Sequence, residues 1–257
     1  MPKLGLTSVT FRGLSADSVI DYCKRCGLCA VEWGSDVHVP PGNIAVAKTV
    51  SEKMQIAGLV TSSYGSYYSV GSGEDFVPYA KSAAALGAPI IRVWGGEKNF
   101  SELSPEEYRA MLSDTKNICR IAREYGIDIA FEYHNNSLTS TAQSALRVMQ
   151  DAGEPNLGMY FQYDPWVSLD ENFSALISLL PHLKMVHIFN IDDKVNRYSV
   201  GEAGGIELWT KFTEILTENN ARVYMLFEFL KDTSFEGLLK ESEIMQTILS
   251  DCEVGRK

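Results

Sequence analysis

No stretch of this 257-residue chain approaches the roughly 18 consecutive apolar residues that a membrane-spanning helix needs, so no membrane partner is expected. The opening residues, MPKLGLTSVTF, carry no apolar run followed by a small-residue cleavage site. A secretory leader is therefore not expected, and the cytoplasm is the expected location. Clusters of Lys and Arg are missing too. With 23 basic against 33 acidic residues and a formal net charge of −10, the chain lacks what binds a phosphate backbone, which argues against a nucleic-acid partner. A small anionic substrate, needing only one or two local cations, stays compatible with that charge. No G-x-G-x-x-G turn follows the first apolar run, which counts against an open, dinucleotide-binding sheet. Cysteine is sparse and odd in number, five in all, as expected in a reducing compartment. Cys23, Cys26 and Cys29 are spaced C-x2-C-x2-C, which an iron–sulfur or zinc site would use. No fourth Cys or His lies nearby in sequence. The simpler reading is two apolar helix positions and a third just past the helix end.

What is present is an alternation of short apolar runs with longer segments of helical period, the pattern of βαβ units. The runs are Leu4–Phe11, Leu28–Glu32, Leu59–Tyr64, Pro89–Trp94, Ile127–Tyr133, Leu157–Tyr163, Lys184–Phe189 and Arg222–Phe229. Helices are predicted over Ser15–Arg25, Ile44–Ala57, Glu74–Leu86, Ser104–Tyr125, Ala142–Asp151, Phe173–Leu180, Ile206–Glu218 and Gly237–Ser250. The start of the fourth helix is explicit: Ser104 as N-cap, Pro105 at the first helical position, Glu107 at the third. Eight such units in about 250 residues fit a single α/β domain, a closed (β/α)8 TIM barrel over 1–257, better than an open sheet. A chain of this length can bury its core without disulfide or metal staples.

Barrel strands are buried on both faces and should read as apolar. These do, until their C-terminal ends. There stand Glu32 and Trp33; Ser62, Ser63 and Tyr64; Arg92 and Trp94; Glu132 and His134; Gln162 and Asp164; His187 and Asn190; and Glu228. Buried charge is costly unless it is paired or holds a metal, and barrel enzymes place their chemistry at this end. Glu132, Asp164, His187 and Glu228 come from the fifth to eighth strands, which are consecutive around a barrel, and they make a coherent ligand set. Three carboxylates and an imidazole favour Mn²⁺, Mg²⁺ or Co²⁺, with Zn²⁺ also compatible. The alternative is a buried ion-pair network with Arg92 or Lys184, although three acids exceed the cations at hand.

The motifs VEWG (Val31–Gly34), FEYH (Phe131–His134), YDPW (Tyr163–Trp166), VHIFN (Val186–Asn190), GEAGGIELW (Gly201–Trp209) and FEF (Phe227–Phe229), in this order and spacing, resemble the xylose isomerase-like family of sugar isomerases and epimerases. The resemblance covers nearly the whole chain. It implies the same four metal ligands and a sugar-like small-molecule substrate. It also implies that Glu132 and Glu228 serve as base and acid across an enediolate whose charge the metal offsets. His134 would then bind a hydroxyl, and Trp33, Tyr64 and Trp94 would wall the pocket. Two positions depart from the pattern. Val167 stands where relatives often carry a substrate-binding His, and Leu138 where ketose 3-epimerases carry a second Glu. Arg197 matches an epimerase substrate Arg, with a loop of different length before it.

TSVTFRGLS, IRVWGG and EYHNNSLTST locally resemble 3-dehydroshikimate dehydratases of the same fold. That resemblance implies Arg92 on a substrate carboxylate, through bidentate geometry, and His134 on the proton. Arg92 serves equally as a buried salt bridge to Glu32 or Glu132. A non-catalytic sugar-binding barrel is a further alternative. The DNA-repair branch of the fold uses a His-rich three-metal cluster, and four histidines, two of them outside the site, argue against it. His38, in the loop SDVHVPPG, closes over substrate or is a solvated loop residue, and His182 is structural or exposed. Arg92, Arg197 and Lys231 are the only cations near the mouth for a phosphate, so an unphosphorylated sugar is the expectation. A homo-oligomer is compatible with the sequence, which leaves the oligomeric state, the sugar and the metal open.

Overall fold

The computed structural model describes residues 1–254. Its strands are β1 (Lys3–Thr7), β2 (Ala30–Gly34), β3 (Val60–Ser69), β4 (Ile90–Trp94), β5 (Asp128–Glu132), β6 (Leu157–Phe161), β7 (Leu183–Ile188) and β8 (Tyr224–Phe227). All pair in parallel and in chain order, and β8 pairs with β1 through Lys3–Tyr224 to Leu6–Phe227, so the barrel closes without an edge. Between and after them lie α1 (Ala16–Arg25), α2 (Ile44–Ala57), α3 (Val77–Leu86), α4 (Pro105–Glu124), α5 (Ala142–Ala152), α6 (Leu169–Leu179), α7 (Gly205–Glu218) and α8 (Phe235–Val254). The expected (β/α)8 architecture is the one formed. No described helix is long and apolar enough to cross a membrane.

The period of two along each strand places the site. Ile90, Ala130, Tyr160, Met185 and Leu226 form a small cluster of their own, apart from the large apolar layer between strands and helices. One step of two residues further along each strand stand Arg92, Glu132, Gln162, His187 and Glu228, on the same inward face. The barrel axis thus changes from apolar to charged within one layer of side chains. Glu228 lies one residue past β8, but its N–H still reaches Ile188 O at 2.9 Å, which holds the carboxylate in register.

The element boundaries differ from the sequence reading where local chemistry competes with the apolar run. The first run reads as strand to Phe11, yet β1 ends at Thr7 and Ser8–Phe11 turn into a short 3-10 helix. That turn lets Ser8 Oγ accept from Gly34 N at 2.8 Å. α6 begins at Leu169, before the predicted Phe173, because Ser168 and Glu171 form a capping box. α4 starts with the predicted box of Ser104 and Glu107. The cysteines Cys23 and Cys26 are buried and unbonded. Burial raises both thiols, Cys26 to about 11, so neither is a ready metal ligand.

Candidate metal centre and active site

Glu132, His187 and Glu228 each offer a ligand atom, and these atoms lie within 4.8 Å of one another. All three residues are buried. His187 Nδ1 stands 3.2 Å from Glu228 Oε2 and 3.9 Å from Glu132 Oε1. It is also 3.2 Å from Gln162 Oε1, and only this contact has hydrogen-bond geometry. Glu228 Oε2 and His187 Nε2 are therefore buried without a hydrogen-bond partner. Such atoms are costly unless a ligand or ion satisfies them. A divalent cation takes both a carboxylate oxygen and an imidazole nitrogen, so these residues fit one. Burial disfavours the imidazolium, but Glu228 and Glu32 outweigh it and raise His187 to about 10. An incoming cation competes for that proton, since imidazole binds metal in its neutral form.

Asp164 does not join this group. β6 ends at Phe161, three residues earlier, and Asp164 Oδ1 instead accepts from Trp166 N at 2.8 Å. Its backbone is clasped by Asn172, whose amide meets Asp164 N at 2.7 Å and Asp164 O at 2.8 Å. The expected ligand set of four is thus three residues together and one apart, because a turn captured the fourth.

On the far side of the axis a buried ion-pair network forms. Arg92 donates through Nε to Glu32 Oε1 at 3.1 Å and through Nη1 to Glu132 Oε2. Ser63 Oγ donates to Glu32 Oε2 at 2.9 Å. Burial would raise the Glu32 carboxyl, but Arg92 and then His187 outweigh it and hold it at about 2. Room for this network comes from β3: a Cβ on Gly65 would sit 2.7 Å from Glu32 Oε1 and 3.0 Å from Arg92 Nη2. The strand-end charges are thus in part paired with one another. Arg92 spans two carboxylates, and the third, on Glu228, has the His187 imidazole 3.2 Å away but accepts no hydrogen bond at Oε2. Glu32 was visible as a strand-end acid, but its inward approach to His187 Nε2, 3.7 Å away, depends on barrel closure.

Above β5–β8 opens a cavity of about 260 Å³, lined by Tyr133, His134, Asn135, Gln162, Tyr163, Asp164, Pro165, Trp166, Phe189, Ile191, Val195, Arg197 and Phe229. Gln162 links it to the candidate metal site, since the residue both lines the cavity and touches His187. His134 packs on Trp94 with ring centroids 4.8 Å apart, and its Nδ1 lies 2.7 Å from Asn135 O. Trp94 itself lines a neighbouring hollow with Tyr67 and His134. Arg197 sits over the Phe229 ring, 5.1 Å from its centroid.

Three of the expected substrate residues lie elsewhere. Trp33 is fully buried with its ring edge-on to His38 at 5.6 Å. His38 is buried too, with Nε2 3.1 Å from Leu14 O, and so is no solvated loop residue. Tyr64 is fully buried and donates its hydroxyl to Val39 O at 2.7 Å. None of the three lines the cavity. In turn, the sequence reading gave no role to Asn135, Trp166 or Phe229. The motifs EYHNN, YDPW and FEF were the available signal, but their second halves fall in loops, whose direction no periodicity encodes.

The model of the family described as "Xylose isomerase-like TIM barrel" matches residues 20–248. A 3-dehydroshikimate dehydratase of Bacillus anthracis is 26% identical over 102 residues, 39% of this chain and 36% of that protein, so the match spans about a third of the relative's length. Among solved structures, a probable 3-DHS dehydratase of Bacillus anthracis superposes with a TM-score of 0.78 at 16% identity, covering 95% of this chain and 98% of the other. The 3-keto-D-glucoside 4-epimerase of E. coli gives 0.75 at 18% identity, covering 96% and 100%. A D-psicose 3-epimerase of Clostridium cellulolyticum H10 gives 0.73 at 13% identity, covering 98% of each chain. At these identities the structural matches establish the shared fold.

Proposed function

The chain belongs to the xylose isomerase-like TIM barrel family, and from that premise we propose that it is a divalent-metal-dependent isomerase or epimerase of a sugar or sugar-like polyol. The observation that carries this reading is the buried group of Glu132, His187 and Glu228, with two partnerless polar atoms, beneath an aromatic-walled cavity. Bound there, a metal supplies positive charge to substrate oxygens as a proton leaves the carbon beside a carbonyl. The protein's own part is the proton and the pocket. Glu132 and Glu228 flank the site and serve as base and acid, with Arg92 holding Glu132 in place. Gln162 fixes the imidazole of His187. His134, steadied by Trp94, offers its Nε2 to a hydroxyl, and Tyr133, Tyr163 and Phe189 exclude water from the floor. The epimerases among the fold's solved members act on sugars, which agrees with this assignment without deciding it.

A dehydratase is the second reading, favoured by the local match to 3-dehydroshikimate dehydratase. It asks for a fixed cation facing a substrate carboxylate. Arg92 is spanned by Glu32 and Glu132 and almost wholly buried, so it is not offered to the cavity. One experiment separates the readings. The metal-loaded protein is incubated in D₂O with a ketose panel and with 3-dehydroshikimate, and hydrogen exchange and products are followed. Deuterium entering beside the carbonyl of a ketose is the expected result. Conversion of 3-dehydroshikimate to an aromatic acid overturns the isomerase assignment, and exchange with no compound leaves a sugar-binding barrel.

A further inference from the structure

The inward layer that carries Glu132, His187 and Glu228 has a member from the β6 side too, and it is not Asp164. Side chains alternate along a strand, so Gln162, one residue past β6, shares the inward face of Tyr160. Asp164 lies two residues further on, where a turn diverts it: its Oδ1 accepts from Trp166 N and its backbone is clasped by Asn172. Gln162 is only 7% exposed, and its Oε1 stands 3.2 Å from His187 Nδ1.

The two ring nitrogens of His187 face different surroundings. Nδ1 has Gln162 Oε1 and Glu228 Oε2 each at 3.2 Å and Glu132 Oε1 at 3.9 Å. Donors about 2.1 Å from one octahedral cation are about 3 Å apart when adjacent and about 4 Å apart when opposite. All three separations lie in that range. Nε2 instead faces Glu32 Oε1 at 3.7 Å. A cation on that side would crowd Arg92, because Glu32 already accepts from Arg92 Nε and from Ser63 Oγ. Charge points the same way. With His187 neutral, Arg92 and a dication together offset Glu32, Glu132 and Glu228. A neutral ligand from β6 leaves the buried centre without net charge, whereas a carboxylate there would leave one negative charge in excess.

We infer that Gln162 Oε1 is the fourth protein ligand of the metal, beside His187 Nδ1, Glu132 and Glu228, in the role the sequence pattern suggested for Asp164. This rests on the reading of the group as a metal centre. In the metal-free protein Oε1 and Nδ1 share the hydrogen bond that orients the imidazole. With a metal bound, the same two atoms are neighbours on it, and His187 Nε2–H faces Glu32 as its acceptor. Two carboxylates instead of three also leave the ion more of its positive charge for substrate oxygens.

The test titrates the whole, metal-stripped protein with Co²⁺ by calorimetry and records the visible d–d bands of the bound ion. Gln162→Leu should bind Co²⁺ at least about tenfold more weakly, with altered bands. Gln162→Glu should bind it at least about tenfold more tightly, because affinity for such cations rises with ligand charge. Asp164→Asn, which keeps an acceptor for the turn, should move the affinity by less than about twofold. With Zn²⁺ and ¹⁵N-labelled histidine, long-range ¹H–¹⁵N spectra should show His187 metal-bound at Nδ1 and protonated at Nε2. Three results overturn the inference: bands unchanged in both Gln162 variants, a larger loss in Asp164→Asn than in Gln162→Leu, or a metal on Nε2 with Nδ1 still protonated. So does a parent protein that takes up neither ion, which removes the metal centre as well. Should Gln162→Leu fail to fold by circular dichroism, Gln162→Glu and the nitrogen assignment decide. Ligation by Gln162 without hydrogen exchange on any ketose sinks the isomerase assignment and keeps the ligand. Exchange on a ketose with the metal on Nε2 does the reverse.

Discussion

Around one barrel mouth, the loops after β1–β4 and those after β5–β8 treat similar residues in opposite ways. On the first side Arg12 pairs with Asp36 and reaches Tyr67, Glu32 pairs with Arg92, and Trp33, Tyr64 and His38 are packed out of reach. On the second side Glu228 Oε2 lies beside His187 but accepts no hydrogen bond, Gln162 faces a cavity, and Trp166 and Phe229 stand in solvent. Polar atoms that are hydrogen-bonded within the fold build structure. Polar atoms left without a hydrogen bond near open space are what a ligand can answer. Position at a strand end selects residues for both fates, and only the partner decides between them.

The largest test of this contrast is at the unmatched side. His187→Ala and Glu228→Gln should drop metal content from near stoichiometric to background by elemental analysis. Hydrogen exchange should fall with it, by on the order of 10³-fold. Full metal retention in both would remove the centre. On the matched side, Arg92→Met leaves two carboxylates buried without a cation. We expect about 3–5 kcal/mol of lost stability in a urea titration, recovered in large part when Glu32→Gln and Glu132→Gln are added. A loss below about 1 kcal/mol would show that water reaches the network. Next in size, Gln162→Leu should weaken metal binding by about 10–100-fold, since it removes the hydrogen bond that orients the imidazole. Unchanged affinity would mean that packing alone orients His187.

The smallest expected effect compares histidines. Burial lowers the pKa of His38, so its neutral form is the folded one. The unfolded value is about 6.5. Stability from this group is therefore complete above that pH and is lost as pH falls through the lower folded value. His38→Phe should flatten the melting temperature between about pH 7 and pH 5 relative to the parent protein. An identical slope in both proteins would place the acid sensitivity elsewhere.

The barrel itself was legible because eight apolar runs and eight helical periods repeat in order, and each run ends in polar groups. Glu132, His187 and Glu228 could be found from the same regularity, being strand positions or one residue beyond. Asp164 could not be placed, since an Asx turn and the Asn172 clasp act three residues outside β6. Trp33 and Tyr64 pack away from the axis because each directly follows an inward-facing residue, Glu32 and Ser63, and side chains alternate along a strand. Trp166, Val195 and Phe229 sit in loops, where sequence carries no period at all.

Gly65 carries a consequence for how this protein can vary. A Cβ there would press on both Glu32 Oε1 and Arg92 Nη2, so every other residue, Ala included, forces their ion pair to shift. A saturation library at this codon should therefore behave as a lock with a single key. Surviving clones should be glycine, or should carry compensating changes at 32 and 92 together, so that three positions far apart in the gene are inherited as one.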